Sequence, residues 1–328
     1  LFQPETYLVA LSLMVVSMVC WGSWANTTKA CAGFRFQLFY WDYVVGLVVG
    51  ALLWGLTLGS FGSSGRPFVA DLGSADRSHI LYAMLGGVVF NAANLLLVAA
   101  IEIAGLAVAF PIGIGLALVV GAVTSYVLAP GGNAWLLFFG IALVVAAIVL
   151  DALAYRLREA AHRSLSVRGV AISLVAGLLM GSFYPFVSKA MSGPDALGPY
   201  AVSLVFVAGV VGCAIPLNYL LMRKPLVGTP VGMSGYVRAR GAWHAWGIAG
   251  GAIWCTGAVF NFVASRAHLV GPAVSYSIGQ GATMISAAWG VFVWKEFAGA
   301  PPLAKRFLVW MFVLFLVGLT AIALAPVF

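Results

Sequence analysis

Ten stretches of roughly 20 mostly apolar residues follow one another along the 328-residue chain, separated only by short polar or Gly/Pro-rich breaks. They run Tyr7–Thr27, Tyr43–Phe61, Ile80–Ile101, Leu106–Ala129, Trp135–Tyr155, Val170–Lys189, Tyr200–Met222, Ala245–Ser265, Val274–Trp294 and Phe307–Ala325. Each is long enough to cross the hydrocarbon core of a bilayer as a helix. Lipid offers no partner to backbone N–H and C=O groups, so the helix must satisfy them internally. Almost nothing is left over for a soluble domain. With 63% of residues hydrophobic and only 8% charged, a water-soluble globule would lack the polar surface to cover its core. The pattern predicts an all-α integral membrane protein of ten transmembrane helices. The first stretch has no basic n-region or cleavage site and counts as a span rather than a signal peptide.

The formal charge of +8 raises the question of a nucleic-acid partner, but the cations flank apolar spans, where they orient a membrane protein. With the N-terminus outside, the inner loops hold 13 basic residues: Lys29, Arg35, Arg156, Arg158, Arg163, Arg168, Arg223, Lys224, Arg238, Arg240, Lys295, Lys305 and Arg306. The outer loops hold four, namely Arg66, Arg77, Lys189 and Arg266. That asymmetry predicts both termini on the non-cytoplasmic side of the cell (inner) membrane, with no nucleic-acid partner. Cys20, Cys31, Cys213 and Cys255 show no C-x-x-C spacing, and neither a metal nor a cofactor is implied.

The chain repeats itself. Gly105-Leu-Ala-Val-Ala-Phe110-Pro-Ile-Gly-Ile-Gly115 in the fourth stretch matches Gly271-Pro-Ala-Val-Ser-Tyr276-Ser-Ile-Gly-Gln-Gly281 in the ninth at one constant offset, seven of eleven positions being identical or Phe for Tyr. Gly22-Ser23-Trp24 with Lys29-Ala30 in the first answers Gly181-Ser182-Phe183 with Lys189-Ala190 in the sixth. Gly86-Gly87 in the third answers Gly250-Gly251 in the eighth. Every match pairs span n with span n+5. A five-span copy leaves the second copy to enter from the opposite face, so residues 1–165 and 166–328 are expected to be two inverted five-helix repeats of one transmembrane domain. Many secondary transporters build an alternating-access site from that architecture.

Pro111, Gly113 and Gly115, together with Gly279, Gln280 and Gly281, are expected to interrupt matching helices and free backbone groups that a polar solute or water-filled cavity could satisfy. The alternative is that these glycines only allow close helix packing. Asn91 and Asn94 lie three residues apart and share a helical face at mid-depth, where amides can bind a neutral solute or bridge helices. Trp254, Thr256 and Asn261 in the eighth stretch, Trp24 in the first and Tyr184 in the sixth lie near that depth. Aromatic rings beside amides suit a flat or ring-shaped polar molecule. These eight residues, Gln280 included, are the candidate substrate-binding set.

Only nine residues are acidic. Asp42, Glu102, Asp151 and Glu296 fall at span ends and none reaches the midplane. A cation exporter would place a carboxylate in its cavity, and a phosphate or nucleotide-sugar carrier would place Lys or Arg there, so a neutral polar substrate is expected. If protons drive transport, Glu102 is the first candidate carrier, because it falls in the short connection between spans three and four; Asp42 and Asp151 follow. A capping or orienting role at a helix end is the alternative for each.

Cys20-Trp-Gly-Ser-Trp-Ala-Asn-Thr-Thr-Lys29, Phe39-Tyr-Trp-Asp-Tyr43, Val108-Ala-Phe-Pro-Ile-Gly-Ile-Gly115 and Ser277-Ile-Gly-Gln-Gly281 with Trp294-Lys-Glu296 resemble the ureide permease and glucose/rhamnose porter branch of the drug/metabolite transporter superfamily. The resemblance implies ten helices in two inverted repeats, a central cavity, and proton-coupled import (symport) of a neutral polar metabolite, whether ureide, nucleobase-like compound or sugar. Plant ureide permeases carry a longer central loop; the segment Arg156 to Arg168 is short here and has no P-loop pattern. The competing readings are a small-metabolite or drug exporter of the same superfamily, and a membrane-embedded enzyme. The second lacks paired catalytic groups: His79, His162, His244 and His268 sit in or beside loops without metal spacing.

Overall fold

The computed structural model describes residues 1–62, 64–158, 166–267 and 270–328. Glu159, His162, Arg163 and His268 lie outside the described residues, as does the end of the expected first repeat at residue 165. The described chain forms α1 (Tyr7–Ser23), α2 (Asn26–Lys29), α3 (Phe36–Leu56), α4 (Phe68–Ser74), α5 (Arg77–Ala104), α6 (Leu106–Leu128), α7 (Ala134–Arg158), α8 (Val167–Ala190), α9 (Pro199–Arg223), α10 (Met233–Val237), α11 (Gly241–Arg266), α12 (Pro272–Gly279), α13 (Ala282–Ala288), a π-helical turn (Trp289–Val293) and α14 (Pro302–Leu324). Among the described residues there are no strands, and nine helical segments are long and apolar enough to cross a membrane, α1 running on through α2 as one of them.

The helix ends follow local chemistry. Thr6, Asp76 and Ser166 accept backbone N–H groups in the first turns of α1, α5 and α8. Proline opens α9, α12 and α14, where its missing N–H is not needed. Gly105 and Gly271 take φ of 81° and 77°, a backbone conformation that a side chain would strain, and turn the chain straight from α5 into α6 and, after the residues following α11, into α12.

The ninth stretch is interrupted where Gly279, Gln280 and Gly281 were expected to break it: it stops at Gly279, restarts at Ala282 and ends in the π-turn. Two expectations need correction. The fourth is not interrupted, because α6 continues through Pro111, Gly113 and Gly115; a proline in a helix forfeits one hydrogen bond, and neighbouring helices hold the rest in place. The acids Asp42 and Asp151 are not at surface ends. α3 begins at Phe36, so Asp42 is two turns inside it and buried, and Asp151 is buried two turns before the end of α7.

Packing pairs α3 with α11 and α9 with α5, α1 with α11 and α8 with α5, and α7 with α14. Without a hydrophobic driving force between helices in lipid, close approach of small residues supplies the contact. Gly46 lies against Ile248 and Ala252 and Gly251 against Tyr43 and Leu47 at the α3/α11 crossing; Gly209 lies against Met84 and Gly87 against Phe206 and Val210 at the α5/α9 crossing. A Cβ at any of the four would strike backbone. In the same way Gly22 of α1 sits on Ala282 and Ile285 of α13, and Gly181 of α8 sits on Ala117 and Val120 of α6.

Candidate solute-binding cavity

A cavity of about 350 Å³ opens between α1, α2, α3, α5, α6, α8, α11 and the α12/α13 break. Its lining runs from Phe90, Trp254 and Gln280 in the interior to Thr28, Phe36, Ile101 and Ser286, which lie toward the end of the bundle where α2 stops and α3 begins. We call that end the mouth. Among the described residues, none that lines the cavity is charged.

Four of the eight candidate binding residues meet there: Asn94, Gln280, Trp24 and Trp254. Gln280 occupies the break after α12, where the chain leaves helical register and the side chain reaches the cavity at 9% exposure. Among the described residues its side-chain amide has no recorded hydrogen-bond partner. Asn94, on α5, donates to the Tyr40 hydroxyl over a long 3.4 Å, which leaves its amide free to exchange partners. Trp254 forms the floor. It stacks on Trp21 with ring centroids 5.7 Å apart, and its carbonyl accepts the Trp21 indole N–H at 3.2 Å. Trp24 tilts over Tyr43 at 4.8 Å and supplies a wall. A flat solute would find two aromatic surfaces, two amides and the hydroxyl-bearing residues Thr28, Thr283 and Ser286.

The other four lie elsewhere. Asn91 accepts the Tyr40 hydroxyl at 2.7 Å, one step behind Asn94, and its Nδ2 is buried without a partner among the described residues. Thr256 faces α3, accepting the Trp54 indole N–H at 2.9 Å and donating to Ala252. Asn261 and Tyr184 form a separate knot: the Tyr184 hydroxyl donates to Asn261 at 2.6 Å, Asn261 donates to Ser17 and to the Ser275 carbonyl, and Ser275 donates back to the Asn261 carbonyl at 2.9 Å. This knot, with Tyr276 donating to the Ala117 carbonyl at 3.1 Å, fills the bundle on the side away from the mouth. Of the backbone candidates, Gly279 lies against Trp21 and Asn261, Gly281 against Met18 and Leu319, and Gly113 against Leu97, while Gly115 has open space beside it. Pro111 is not among the lining residues, although its neighbours Phe110 and Ile114 are.

The acids stand outside the cavity. Asp42 is 2% exposed, accepting from the Tyr236 hydroxyl at 2.6 Å and pairing with His244 Nδ1 at 2.8 Å, which ties α10 to α3 and α11. Burial and the neighbouring Asp42 carboxylate push the Tyr236 phenol up to about 12. Glu102 is in the last turn of α5 and exposed. Asp151 is buried in α7. At the mouth end Glu296 receives Lys29 at 2.5 Å, Arg158 at 3.1 Å and the Tyr155 hydroxyl at 3.0 Å. Burial would raise its carboxyl, but the Lys29 hydrogen bond and charge, helped by Tyr155 and Arg158, hold it below its ordinary value.

Sequence reasoning left several lining residues out of the binding set. Thr283 and Ser286 follow the Gly279-Gln280-Gly281 break by two and five residues, so polar residues just past a break are the signal that marks them. Phe110, the repeat counterpart of Tyr276, lines the cavity while Tyr276 is buried in the opposite half. Trp21 differs from the Trp24 candidate by one helical turn.

Comparison with known proteins agrees with this picture. Residues 39–165, from α3 to just past α7, match the family described as ureide permease. Ureide permease 1 of Arabidopsis thaliana is 27% identical over 158 residues, which is 47% of this chain and 40% of that protein. The chain therefore matches well under half of that relative's length. One solved crystal structure superposes with a TM-score of 0.62 at 15% identity, covering 94% of this chain and 95% of the other. That likeness concerns the fold alone. A multi-pass membrane protein with an uncharged, mainly aromatic and aliphatic cavity that carries a few amide and hydroxyl groups, this chain resembles the ureide permeases.

Proposed function

We propose that the protein is a secondary active transporter that imports a neutral polar metabolite by alternating access. The observation that carries this reading is the cavity: the amides of Asn94 and Gln280 line it together with the indoles of Trp24 and Trp254, and no charged residue lines it among the described residues. An uncharged solute loses little by desolvation there and gains hydrogen bonds and stacking, whereas an ion would be left without a counter-charge. Ureides and nucleobase-like rings fit that chemistry, and sugars, which stack on indole and bond to amides, are the second class.

The same reading takes α12, α13 and the π-turn as a tenth, interrupted crossing and divides the chain at 165/166 into two inverted five-helix repeats. The paired contacts support it. Gly46/Gly251 at the α3/α11 crossing and Gly209/Gly87 at the α9/α5 crossing exchange under the same span n to span n+5 relation as Gly22 on α13 and Gly181 on α6. A repeat that can exchange its two halves has two packings of similar energy, one open at the mouth and one open at the Tyr184–Asn261 side. Both termini then lie outside the cell membrane, the mouth faces the cytoplasm, and protons supply the driving force.

The test is thermal stability of the detergent-purified protein against allantoin, uracil, xanthine, glucose, ribose and rhamnose. A bound ligand raises stability by mass action, by about 2.7 kcal/mol at a hundred times its Kd. A shift confined to one chemical class supports the reading and names the class; no shift with any compound at high concentration argues against a neutral-metabolite site.

A further inference from the structure

We propose that Asp151 is a proton-binding site of this protein, separate from the solute cavity and linked to it through the Glu296 clamp. This inference rests on the transport reading above and says where its coupling proton sits.

Of the three acids singled out as proton carriers, only Asp151 is both buried and short of partners. Asp42 has both carboxylate oxygens engaged, by Tyr236 and His244. Glu102 is exposed at the end of α5. Asp151 is 6% exposed inside a membrane-crossing helix, and its Oδ1 is sealed from solvent and, among the described residues, has no hydrogen-bond partner. A buried, unsatisfied carboxyl in a membrane helix is costly and calls for a role; carrying a proton supplies one, because the neutral acid tolerates this site and the carboxylate does not.

Its surroundings connect it to the cavity wall. Tyr155 lies one turn further along the same face of α7 and donates to Glu296 Oε2, which also receives Arg158; Lys29, the last residue of α2, holds Oε1. Glu296 follows the π-turn, and its backbone N–H returns to the Gly290 carbonyl at 2.9 Å. A Cβ at Gly290 would meet the Tyr155 hydroxyl at 2.9 Å and the Glu296 carboxylate at 3.2 Å, so the turn and the clamp pack directly on each other. The π-turn continues α13, whose Thr283 and Ser286 line the cavity, and α2 contributes Thr28. π-Turns are rare and recur at functional sites.

Among the described residues, the titratable groups that face Asp151 are Glu296 from the segment after the π-turn, with Lys29 and Arg158 beyond it, and Tyr155 on its own helix. α14 brings only Lys305 and Arg306, both exposed in its first turns, and α6 brings no titratable group but Tyr126, whose ring packs on Phe138 near the opposite end. With a proton on Asp151, Tyr155 and Arg158 serve Glu296 alone and the clamp is closed. When the proton leaves to water on the mouth side, the Asp151 carboxylate competes for the Tyr155 hydroxyl and Arg158, loosening α13 and the π-turn. Only an O–H bond is made and broken, and the proton passes from water on one face to water on the other.

Two measurements decide it. Infrared difference spectra of the purified protein between acid and alkaline buffers should show a protonated-carboxyl band that Asp151→Asn removes; the same band in wild type and variant, or none in wild type, overturns the proposal. If Asp151→Asn does not fold, Asp151→Glu replaces it, and the band must then move in frequency; an unmoved band overturns the proposal. In proteoliposomes with labelled allantoin, uracil and glucose, Asp151→Asn should lose at least ten-fold of the accumulation driven by a pH gradient while retaining counterflow. Gradient-driven accumulation unchanged in the variant overturns the proton site. Wild-type liposomes without counterflow of any probe would instead overturn the transport reading, leaving the infrared result to judge the proton site by itself.

Discussion

α6 and the α12/α13 pair set off alike, from Gly105 and Gly271 at φ 81° and 77°, and then diverge: α6 runs 23 residues, whereas α12 stops after 8. Both copies carry glycines at matching positions, Gly113 and Gly115 against Gly279 and Gly281, and the unbroken copy even carries the extra handicap of Pro111. Glycine content therefore does not decide where a membrane helix breaks. What differs is the residue between the glycines and what surrounds it. Ile114 borders the cavity with an apolar side chain that needs no partner, and Gly113 lets the α6 backbone meet α8 at Gly177, so continuity loses nothing. Gln280 borders the same cavity with an amide, and the break beside it adds freed backbone groups, so its polar atoms and theirs can find water or a solute there.

Mutations can break or sharpen this comparison. The largest effect is expected of Gly279→Val, because the new side chain would enter the Trp21 ring and the Asn261 amide; a loss of roughly 1–3 kcal/mol in thermal unfolding is expected, whereas Gly115→Ala, with open space beside it, should stay near zero. Next is Asn261→Ala, which strands Tyr184, Ser17 and the Ser275 carbonyl on the closed side. It should cost about 1–3 kcal/mol, and a cysteine at Ser275 should become reactive from that side. Gln280→Ala should keep the fold and weaken solute binding about five- to ten-fold, read as a reduced ligand-induced thermal shift, while Thr256→Val, away from the cavity, leaves binding unchanged.

The smallest effect concerns the clamp. Glu296 is held below its ordinary 4.5 in the folded protein, so its ion pairs stabilise above that value and the contribution fades as pH falls through the depressed folded value. Thermal stability measured from neutral toward acid should drop at the acid end, and Glu296→Gln should flatten that part of the profile.

The helical architecture was legible because lipid allows so few alternatives: apolar runs of the right length have to be helices, and their ends fell close to expectation. The misread positions each depend on a partner far away in sequence. α3 begins at Phe36, beyond the predicted Tyr43, because Asp42 stopped the apolar run; the residues that make Asp42 tolerable inside the helix, Tyr236 and His244, come about 200 positions later. Asn91 and Asn94 share a face as their spacing requires, but Tyr40 bonds Asn91 at 2.7 Å and Asn94 only at 3.4 Å, and of the two only Asn94 lines the cavity, which spacing cannot foresee. Thr256 and Asn261 have the right depth and the wrong azimuth: depth can be counted along a helix, but the side it turns to its neighbours follows from packing.

The most direct test of the central claim is counterflow in proteoliposomes with labelled allantoin, uracil and glucose, comparing wild type with Gln280→Ala and Thr256→Val. The account predicts saturable counterflow for one chemical class, weakened about five- to ten-fold by Gln280→Ala and untouched by Thr256→Val. Flux that does not saturate, or equal counterflow in wild type and Gln280→Ala, would contradict a solute site at the α12/α13 break.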